Sequence, residues 1–295
     1  MSAPSVLYDA PGPKAKARNV GYTIAFLAVL AAVLWWVLAT MGEKGQLDWD
    51  KWSPFFTDAR VWTTFILPGL QNTLIAAALS IVIALPIGAL FGILRLSDHV
   101  FVRWPAATIV EFFRAVPVLI LMFFANEFYF NFTDVDSEQR PLYAVVTGLV
   151  LYNGSVLAEV VRAGILSLPR GQTEAAQALG LRKTQTMTNV LLPQAVTAML
   201  PAIVSQIVVI VKDTALGGAA LGFAELLSRT RPISNNYGAN TIATLVIVAV
   251  VYIVVNFIIT SIASWLEQWS RQRKKGAGAV VPVTAVDDQA TGPAV

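Results

Sequence analysis

The stretch PRGQTEAAQALGLRKTQTMTNVLLP, residues 169–193, separates two long apolar runs of the chain. Pro169 ends the preceding helix, and residues 174–179 are helix formers with an acid, Glu174, in the first turn. Gly180 then permits a sharp turn, and apolar residues recur at helical spacing as far as Val190. The pattern predicts two short helices at an angle, shaped either to enter a groove of a partner protein or to pack on the protein's own helix ends.

The composition around this stretch is that of a membrane protein. The 295 residues are 56% hydrophobic and 13% charged, whereas soluble domains carry about 25% charged residues. The absence of Cys excludes disulfides, thiolate metal sites and cysteine catalysis, and a single histidine, His99, excludes a multi-histidine metal site. A net charge of +3 is too small to indicate a nucleic-acid partner. We therefore expect no metal, no cofactor and no nucleic acid.

Six apolar segments are long enough to cross a membrane, which needs roughly 20 residues. They are residues 22–41, 69–94, 104–130, 141–166, 194–216 and 241–265. The prediction is an all-α, polytopic membrane protein with six transmembrane helices. The first helix, 22–41, is an anchor preceded by a disordered arm at 1–21. The other five form a transmembrane domain at 69–266, and a disordered tail follows at 276–295.

The distribution of positive charge predicts the orientation. Basic residues of the N-terminal arm, of the loops around 95–103 and 170–183, and of residues 271–275 all fall on one face if there are six spans. The other face carries basic residues together with a larger set of acids, among them Asp134 and Asp136. Cytoplasmic loops carry the excess of Lys and Arg, so both termini and the 169–193 stretch are predicted to be cytoplasmic.

The 169–193 stretch resembles the EAA loop of permeases of binding-protein-dependent ABC transporters. The matching residues are Glu174, Ala175, Ala176, Gly180, Val190, Leu192 and Pro193, with Val190 where the family usually has Ile. Segments at 69–74, 111–117, 158–164 and 212–216 resemble the polar amino acid permeases, those for histidine, arginine, glutamine and glutamate. The similarity covers residues 69–266, and the arrangement with an extra N-terminal helix is most similar to actinobacterial glutamate permeases.

The resemblance implies a type I ABC importer permease, a five-helix core plus the N-terminal helix, in the plasma or inner membrane and surrounded by lipid. It implies that a second permease, identical or homologous, supplies the other half of the pathway. Two ATPase subunits would bind the EAA loops, and an extracellular binding protein would deliver a polar amino acid. The chain has no Gly-x-x-x-x-Gly-Lys-Ser/Thr loop, which agrees with ATP hydrolysis on separate subunits, so we expect the chain itself not to be an enzyme.

Charged residues inside the apolar spans each need a partner, water or a ligand. Glu111 and Arg114 are three residues apart on one helical face, and Glu159 repeats that spacing with Arg162. Residues three apart on a helix are neighbours, so we expect each of these two pairs to form an ion pair that fastens helix ends.

Lys212 and Asp213 are adjacent in the fifth span and point about 100° apart on a helix. A zwitterionic amino acid offers a carboxylate and an ammonium group, so this pair is predicted to contact the substrate in the outer half of the membrane. Pairing with neighbouring helices is the alternative. Polar residues that would extend the substrate site are Asn126, Asn153, Ser155 and Gln206. Each of these side chains would serve equally well to form a hydrogen bond between helices.

Together these features predict a permease subunit that moves a polar amino acid, with glutamate or glutamine favoured, by alternating access driven by ATP. A secondary amino acid transporter or channel that does not use ATP is the main alternative, and a membrane assembly protein without a substrate is a third. The EAA spacing separates these functions, because neither alternative needs a loop that binds an ATPase.

Overall fold

The computed structural model describes residues 12–275, with side chains as far as Trp265. In this part of the chain every regular element is helical. Irregular turns of π-helix at Val61–Ile66 and Thr186–Leu191 and a 3-10 turn at Leu227–Arg229 accompany the α-helices. The α-helices are α1 Pro13–Glu43, α2 Trp49–Trp52, α3 Pro54–Thr57, α4 Leu67–Leu94, α5 Val100–Ala115, α6 Val118–Phe132, α7 Arg140–Leu166, α8 Arg170–Ala178, α9 Lys183–Gln185, α10 Leu192–Leu221, α11 Thr230–Asn236 and α12 Thr241–Lys275.

The expected all-α membrane architecture is confirmed. Five helical stretches are each long and apolar enough to cross a membrane, and α5 with α6 forms a sixth if the bent pair counts as one span. At about 1.5 Å per residue, each of the five exceeds a hydrocarbon core of about 30 Å. The five are Pro13–Glu43, Val61–Leu94, Arg140–Leu166, Lys183–Leu221 and Thr241–Trp265.

The span expected over residues 104–130 is bent, because the backbone leaves the helical conformation at Val116 and Pro117. Val116 is extended, with φ −81° and ψ 128°, and Pro117 has ψ 133°. The proline ring disfavours a helical conformation in the residue before it, and proline has no N–H to continue the helix. The axes of α5 and α6 consequently differ in direction by 101°.

Helix α7 is the centre of the larger of two compact units, which comprises the described residues 66–229 and 248–275. Helices α4, α5, α6 and α10 pack against it. Helix α4 meets α7 through small residues four positions apart, Ala84, Gly88 and Gly92. A Cβ atom on Gly88 would lie 2.6 Å from the Leu157 Cβ, and one on Gly92 would lie 2.7 Å from the Ala158 carbonyl oxygen. Small side chains therefore allow the two backbones to approach closely, as in many membrane helix pairs.

The smaller unit comprises the described residues 12–65 together with 230–247. In it, α1 has no buried side chain and begins at Pro13 rather than at residue 22, so the second half of the expected disordered arm is helical. The Tyr237 hydroxyl donates a hydrogen bond of 2.7 Å to Asp58, and this bond lowers the pKa of the Asp58 carboxyl. The first part of the arm, 1–11, and the tail, 276–295, lie outside the described residues.

Candidate functional site

The turn expected at Gly180 is present and ends α8. The Leu181 N–H donates to the Ala176 carbonyl at 3.1 Å, and the Gly180 N–H donates to the Gln177 carbonyl at 2.9 Å. These two bonds form a Schellman motif, which needs a residue in the left-handed conformation after the helix. Gly180 supplies it, with φ +77°. Glycine adopts this conformation without the steric cost that a Cβ atom would add.

The end of α8 projects away from the rest of the chain. Leu179, at the end of the helix, is 83% exposed, whereas Ala176, one turn earlier, is buried. Glu174 and Ala175 are exposed, and a Cβ atom on Gly180 would meet nothing within 4 Å. We call Glu174, Ala175, Leu179 and Gly180 the α8 tip. It presents one large apolar side chain between small residues, a surface suited to a groove on a partner protein.

The expectation of a second short helix after Gly180 is wrong. Helix α9 continues through the π-helical turn at Thr186–Leu191 into α10, so a single helix runs from Lys183 to Leu221. Leu192 and Pro193 therefore belong to the start of α10 rather than to a loop. Proline is tolerated in the first turn of a helix, because the N–H groups of that turn have no hydrogen-bond partner within the helix.

The 169–193 stretch is fastened to the ends of three spans. The Gln194 amide donates to the Gln172 side chain at 3.1 Å. The Lys183 ammonium lies 2.5 Å from Asp98 and donates to the Leu96 carbonyl at 3.2 Å, which links the stretch to the end of α4. The hydrogen bond from Lys183 lowers the pKa of the Asp98 carboxyl. Below these contacts lies a buried apolar cluster of Val161, Ile165, Leu191, Ala195 and Met199.

Glu159 is the centre of an ion-pair network at the same end of the helices. Its carboxylate lies 2.5 Å from Arg95, 2.9 Å from Arg162 and 3.6 Å from Arg114. The expected ion pair of Glu111 with Arg114 is not present in the described part of the chain. Glu111 instead lies 3.4 Å from Arg95. The close packing of α4 on α7 brings Arg95 between the two carboxylates. The expected contact of Glu159 with Arg162 is present, and a structural role for it stays a prediction.

Two of the predicted substrate contacts form a bridge between α7 and α10. The Gln206 amide donates to the Asn153 side-chain oxygen at 2.5 Å, and Asn153 is fully buried. Ser155 is also buried and donates to the Leu151 carbonyl of its own helix at 2.9 Å. This arrangement matches the alternative that these polar groups join helices. Asn126 is half-buried on α6, and its side chain has no hydrogen bond to a described residue.

Lys212 and Asp213 lie further along α10. Lys212 is exposed and Asp213 is half-buried. In the described part of the chain neither side chain has a hydrogen bond or an ion pair, so no described residue of a neighbouring helix is paired with them. The structure does not bring the pair into contact with the other polar candidates. At about 1.5 Å per residue, Gln206 is roughly 9 to 10 Å below them along the helix axis.

Our sequence reasoning missed a buried carboxylate, Glu225, in the segment that follows α10. It accepts hydrogen bonds of 2.7 Å from the Leu227 N–H, the Ser228 N–H and the Tyr252 hydroxyl. The first two bonds cap the 3-10 turn that leads into α11. An acid two to three residues before a helix start, within an apolar segment, was the available signal for this role.

The segment around Glu225 is also joined to the first residues of α4. The Asn72 amide donates to the Ala224 carbonyl at 2.9 Å, and the Leu226 N–H donates to the Thr73 hydroxyl at 3.1 Å. Both α4 residues belong to the 69–74 segment that carried part of the family resemblance. Their side chains therefore hold the connection between α10 and α11 in place.

Comparison with known proteins identifies the family. Residues 84–272 match the family described as binding-protein-dependent transport system inner membrane component. The glutamate transport system permease protein GluD of Corynebacterium glutamicum is 46% identical over 249 residues, which cover 84% of this chain and 90% of that protein. The probable glutamine ABC transporter permease protein GlnP of Bacillus subtilis is 30% identical over 205 residues, covering 69% and 92%.

The fold agrees with a solved transporter. The crystal structure of an amino acid ABC transporter with histidines superposes with a TM-score of 0.62 at 26% identity, covering 70% of this chain and 94% of that chain. The family match extends over more than half of the residues, including the α8 tip and the Glu159 network. This chain therefore belongs to the inner membrane components of binding-protein-dependent transport systems, the permease subunits of ABC importers.

Proposed function

We propose that the chain is the transmembrane permease subunit of an ATP-driven importer that carries a polar amino acid, with glutamate or glutamine favoured. The α8 tip is the observation that carries this proposal, because its exposed Leu179 and Gly180 offer a docking surface on a stretch that Gln172 and Lys183 join to the spans. The choice of substrate class is supported by similarity to a glutamate permease at 46% identity and to a probable glutamine permease at 30% identity.

The proposed complex contains two ATPase subunits, a second permease that is identical or homologous, and an extracellular binding protein. Closure of the ATPases around ATP moves the α8 tips. The contacts of Gln172 with Gln194 and of Lys183 with Asp98 pass this movement to α10 and to the end of α4. The spans then rock between an outward-open and an inward-open state, and the amino acid crosses between the two permeases.

The substrate contacts proposed within this chain are Lys212 and Asp213. Charged groups inside a membrane need a partner, and neither has one in the described part of this subunit. A bound amino acid supplies the missing partners, with its ammonium group meeting Asp213 and its carboxylate meeting Lys212. Asn126, whose side chain is likewise without a hydrogen bond here, is the further polar group proposed to reach the substrate.

A secondary transporter is the competing function, and its energy source separates it from the proposed one. Uptake that stops without ATP and continues after ion gradients are collapsed supports the importer. Uptake that follows an ion gradient and needs no ATPase subunit contradicts it.

The proposed orientation predicts which residues an impermeant thiol reagent reaches. Asp136 precedes α7 and Arg182 follows α8, so these residues lie beyond opposite ends of α7, whose 27 residues span about 40 Å. The protein has no Cys, so each introduced cysteine reports without background. We expect intact cells to label Asp136→Cys from outside and to leave Arg182→Cys unlabelled until the membrane is opened. The reverse pattern contradicts a cytoplasmic α8 tip.

Gly180→Val is expected to weaken binding of the ATPase to the α8 tip. The space around this position is open, so the change acts through the backbone, which has φ +77°. A left-handed conformation costs a residue with a Cβ atom roughly 1 to 2 kcal/mol, and the affinity for the ATPase should fall about 5- to 30-fold. The measurement is binding of purified ATPase to the reconstituted variant.

Two further variants serve as controls for Gly180→Val. Gly171→Val adds the same side chain within α8, also in open space, at a position without positive φ, and should bind the ATPase normally. Gly180→Asn should retain more binding than Gly180→Val, because asparagine tolerates the left-handed conformation. Equal affinities for all four proteins mean that the turn at Gly180 is not needed for docking.

A further inference from the structure

A basic cleft opens where the end of α4 meets the beginning of α5 and the end of α7. Its volume is about 330 Å³, and Arg95, Val100, Arg103, Trp104, Ala107 and Arg162 line it. None of these lining residues is acidic. The cleft is separate from the α8 tip and from Lys212 and Asp213, and nothing in the proposed transport cycle uses it.

The groups around the cleft carry a surplus of positive charge. Four guanidinium groups, those of Arg95, Arg103, Arg114 and Arg162, accompany only two carboxylates, Glu111 and Glu159. Three of the arginines contact these carboxylates at 2.5 to 3.6 Å. The fourth, Arg103, has no ion pair with a described residue. With four positive and two negative charges, these six side chains carry a net charge of +2.

Most donors of Arg103 form no hydrogen bond with a residue that the structure describes. Its guanidinium donates one long hydrogen bond, to the Ser97 carbonyl at 3.4 Å. The nearby carboxylate of Asp98 lies 2.5 Å from Lys183. A guanidinium presents five N–H donors in a planar fork, which matches the oxygen atoms of a phosphate group. The cleft therefore offers an unused donor fork beside two further arginines.

Trp104 lines the cleft, and Phe101 lies three positions before it on α5; we call these two side chains the aromatic rim. Phe101 is 94% exposed, and Trp104 is 69% exposed. Both follow directly after the start of α5 at a span end, where aromatic side chains commonly lie at the boundary between headgroups and acyl chains. A free anion in water would gain nothing from these side chains. A phosphate attached to acyl chains would use both the arginines and the aromatic rim.

We propose that this cleft binds the phosphodiester headgroup of an anionic phospholipid, with Arg103 as the main contact and Arg95 and Arg162 beside it. Basic pockets between transmembrane helices on the cytoplasmic side can hold such headgroups. The lipid neutralises the surplus charge and stabilises the loop between α4 and α5. This loop carries Asp98, the partner of Lys183. The inference rests on the cytoplasmic orientation of the proposed function.

The test is a lipid titration of the purified complex of permease and ATPase, followed by native mass spectrometry. Phosphatidylglycerol should bind more tightly than phosphatidylcholine. Arg103→Gln removes a charged donor and should weaken binding of phosphatidylglycerol about ten-fold or more while leaving phosphatidylcholine unchanged. Arg103→Lys keeps the charge and should fall between the two. Arg18→Gln, a matched loss of one exposed arginine on the same proposed face but outside the cleft, should bind as the unchanged protein does.

Several results would overturn the lipid site. One is equal binding of both lipids, and another is unchanged phosphatidylglycerol affinity in Arg103→Gln. Inorganic phosphate that binds as tightly as phosphatidylglycerol would assign the cleft to a soluble anion. Loss of the ATPase from Arg103→Gln with lipid binding intact would assign it to the partner protein. A complex that performs ATP-driven uptake but shows no lipid preference overturns only this inference, whereas a permease that transports without ATP overturns the proposed function.

Discussion

Asp213→Asn is expected to lower the affinity of the membrane site for the amino acid by about ten-fold to more than a hundred-fold, and to lower the rate of uptake with it. The change keeps the shape of the side chain and removes the charge proposed to meet the substrate ammonium. A hydrogen bond to a charged group is worth roughly 1.5 to 3 kcal/mol, which corresponds to this range of affinity. The measurement is uptake by reconstituted complexes at saturating concentrations of loaded binding protein.

Lys212→Gln provides a second, independent test of the same site. It should also impair uptake, and more for glutamate than for glutamine if the lysine meets the side-chain carboxylate of the substrate. Glu138→Gln, which removes one negative charge as Asp213→Asn does but at an exposed residue between α6 and α7, is the matched control for Asp213→Asn and should transport normally. Normal uptake by both Asp213→Asn and Lys212→Gln means that these charges do not bind substrate. Failure of either variant to assemble with the ATPase points instead to pairing with the second permease.

Gly148→Ala is expected to destabilise the folded subunit severely. A Cβ atom at this position of α7 would lie 2.5 Å from the Met122 Cγ, 2.8 Å from the Met122 backbone nitrogen and 3.0 Å from its Cα. The Met122 side chain is fully buried, and its backbone cannot yield unless α6 moves away from α7. Overpacking of a core typically costs 1 to 3 kcal/mol, and a clash with backbone atoms should reach about 3 kcal/mol or more.

Gly154→Ala is the matched control on the same helix. Its Cβ atom would lie 3.3 Å from the nearest side-chain atom, the Ile87 Cγ2, with the next neighbours at 3.8 Å. Alanine also favours a helix interior over glycine by about 1 kcal/mol, which offsets a small adjustment. We expect thermal unfolding in detergent to occur at a much lower temperature for Gly148→Ala and near the original temperature for Gly154→Ala. Similar unfolding temperatures for the two variants contradict the close contact of α6 with α7.

The elements that sequence predicted well are those set by local physics. The length of the apolar segments predicted the six spans. Gly180, directly after the helix-forming residues 174–179, predicted the turn with positive φ. The bend in the third span has a local cause too, since Pro117 disfavours a helical Val116. Reading residues 104–130 as one apolar run gave too little weight to that proline.

The contacts that sequence did not predict join residues far apart in the chain. Arg95 and Glu159 are 64 positions apart, and their contact depends on the approach of α4 to α7 through small residues. The bridge from Gln206 to Asn153 likewise depends on how α10 packs on α7. Local spacing suggested Arg114 as the partner of Glu111, because a pattern of three residues shows neighbours on one helix but not on others. The sequence identified these polar residues as candidates for contacts inside the membrane. Which residues they contact depends on how the helices pack.

The most direct test of an ATP-driven permease is amino acid uptake by proteoliposomes that contain this chain, its ATPase subunits, and its second permease if that is a different chain. We predict that labelled glutamate or glutamine accumulates only when both ATP and the loaded binding protein are present. Collapse of the ion gradients should leave the rate unchanged. Accumulation that needs an ion gradient but neither ATP nor binding protein would contradict the account.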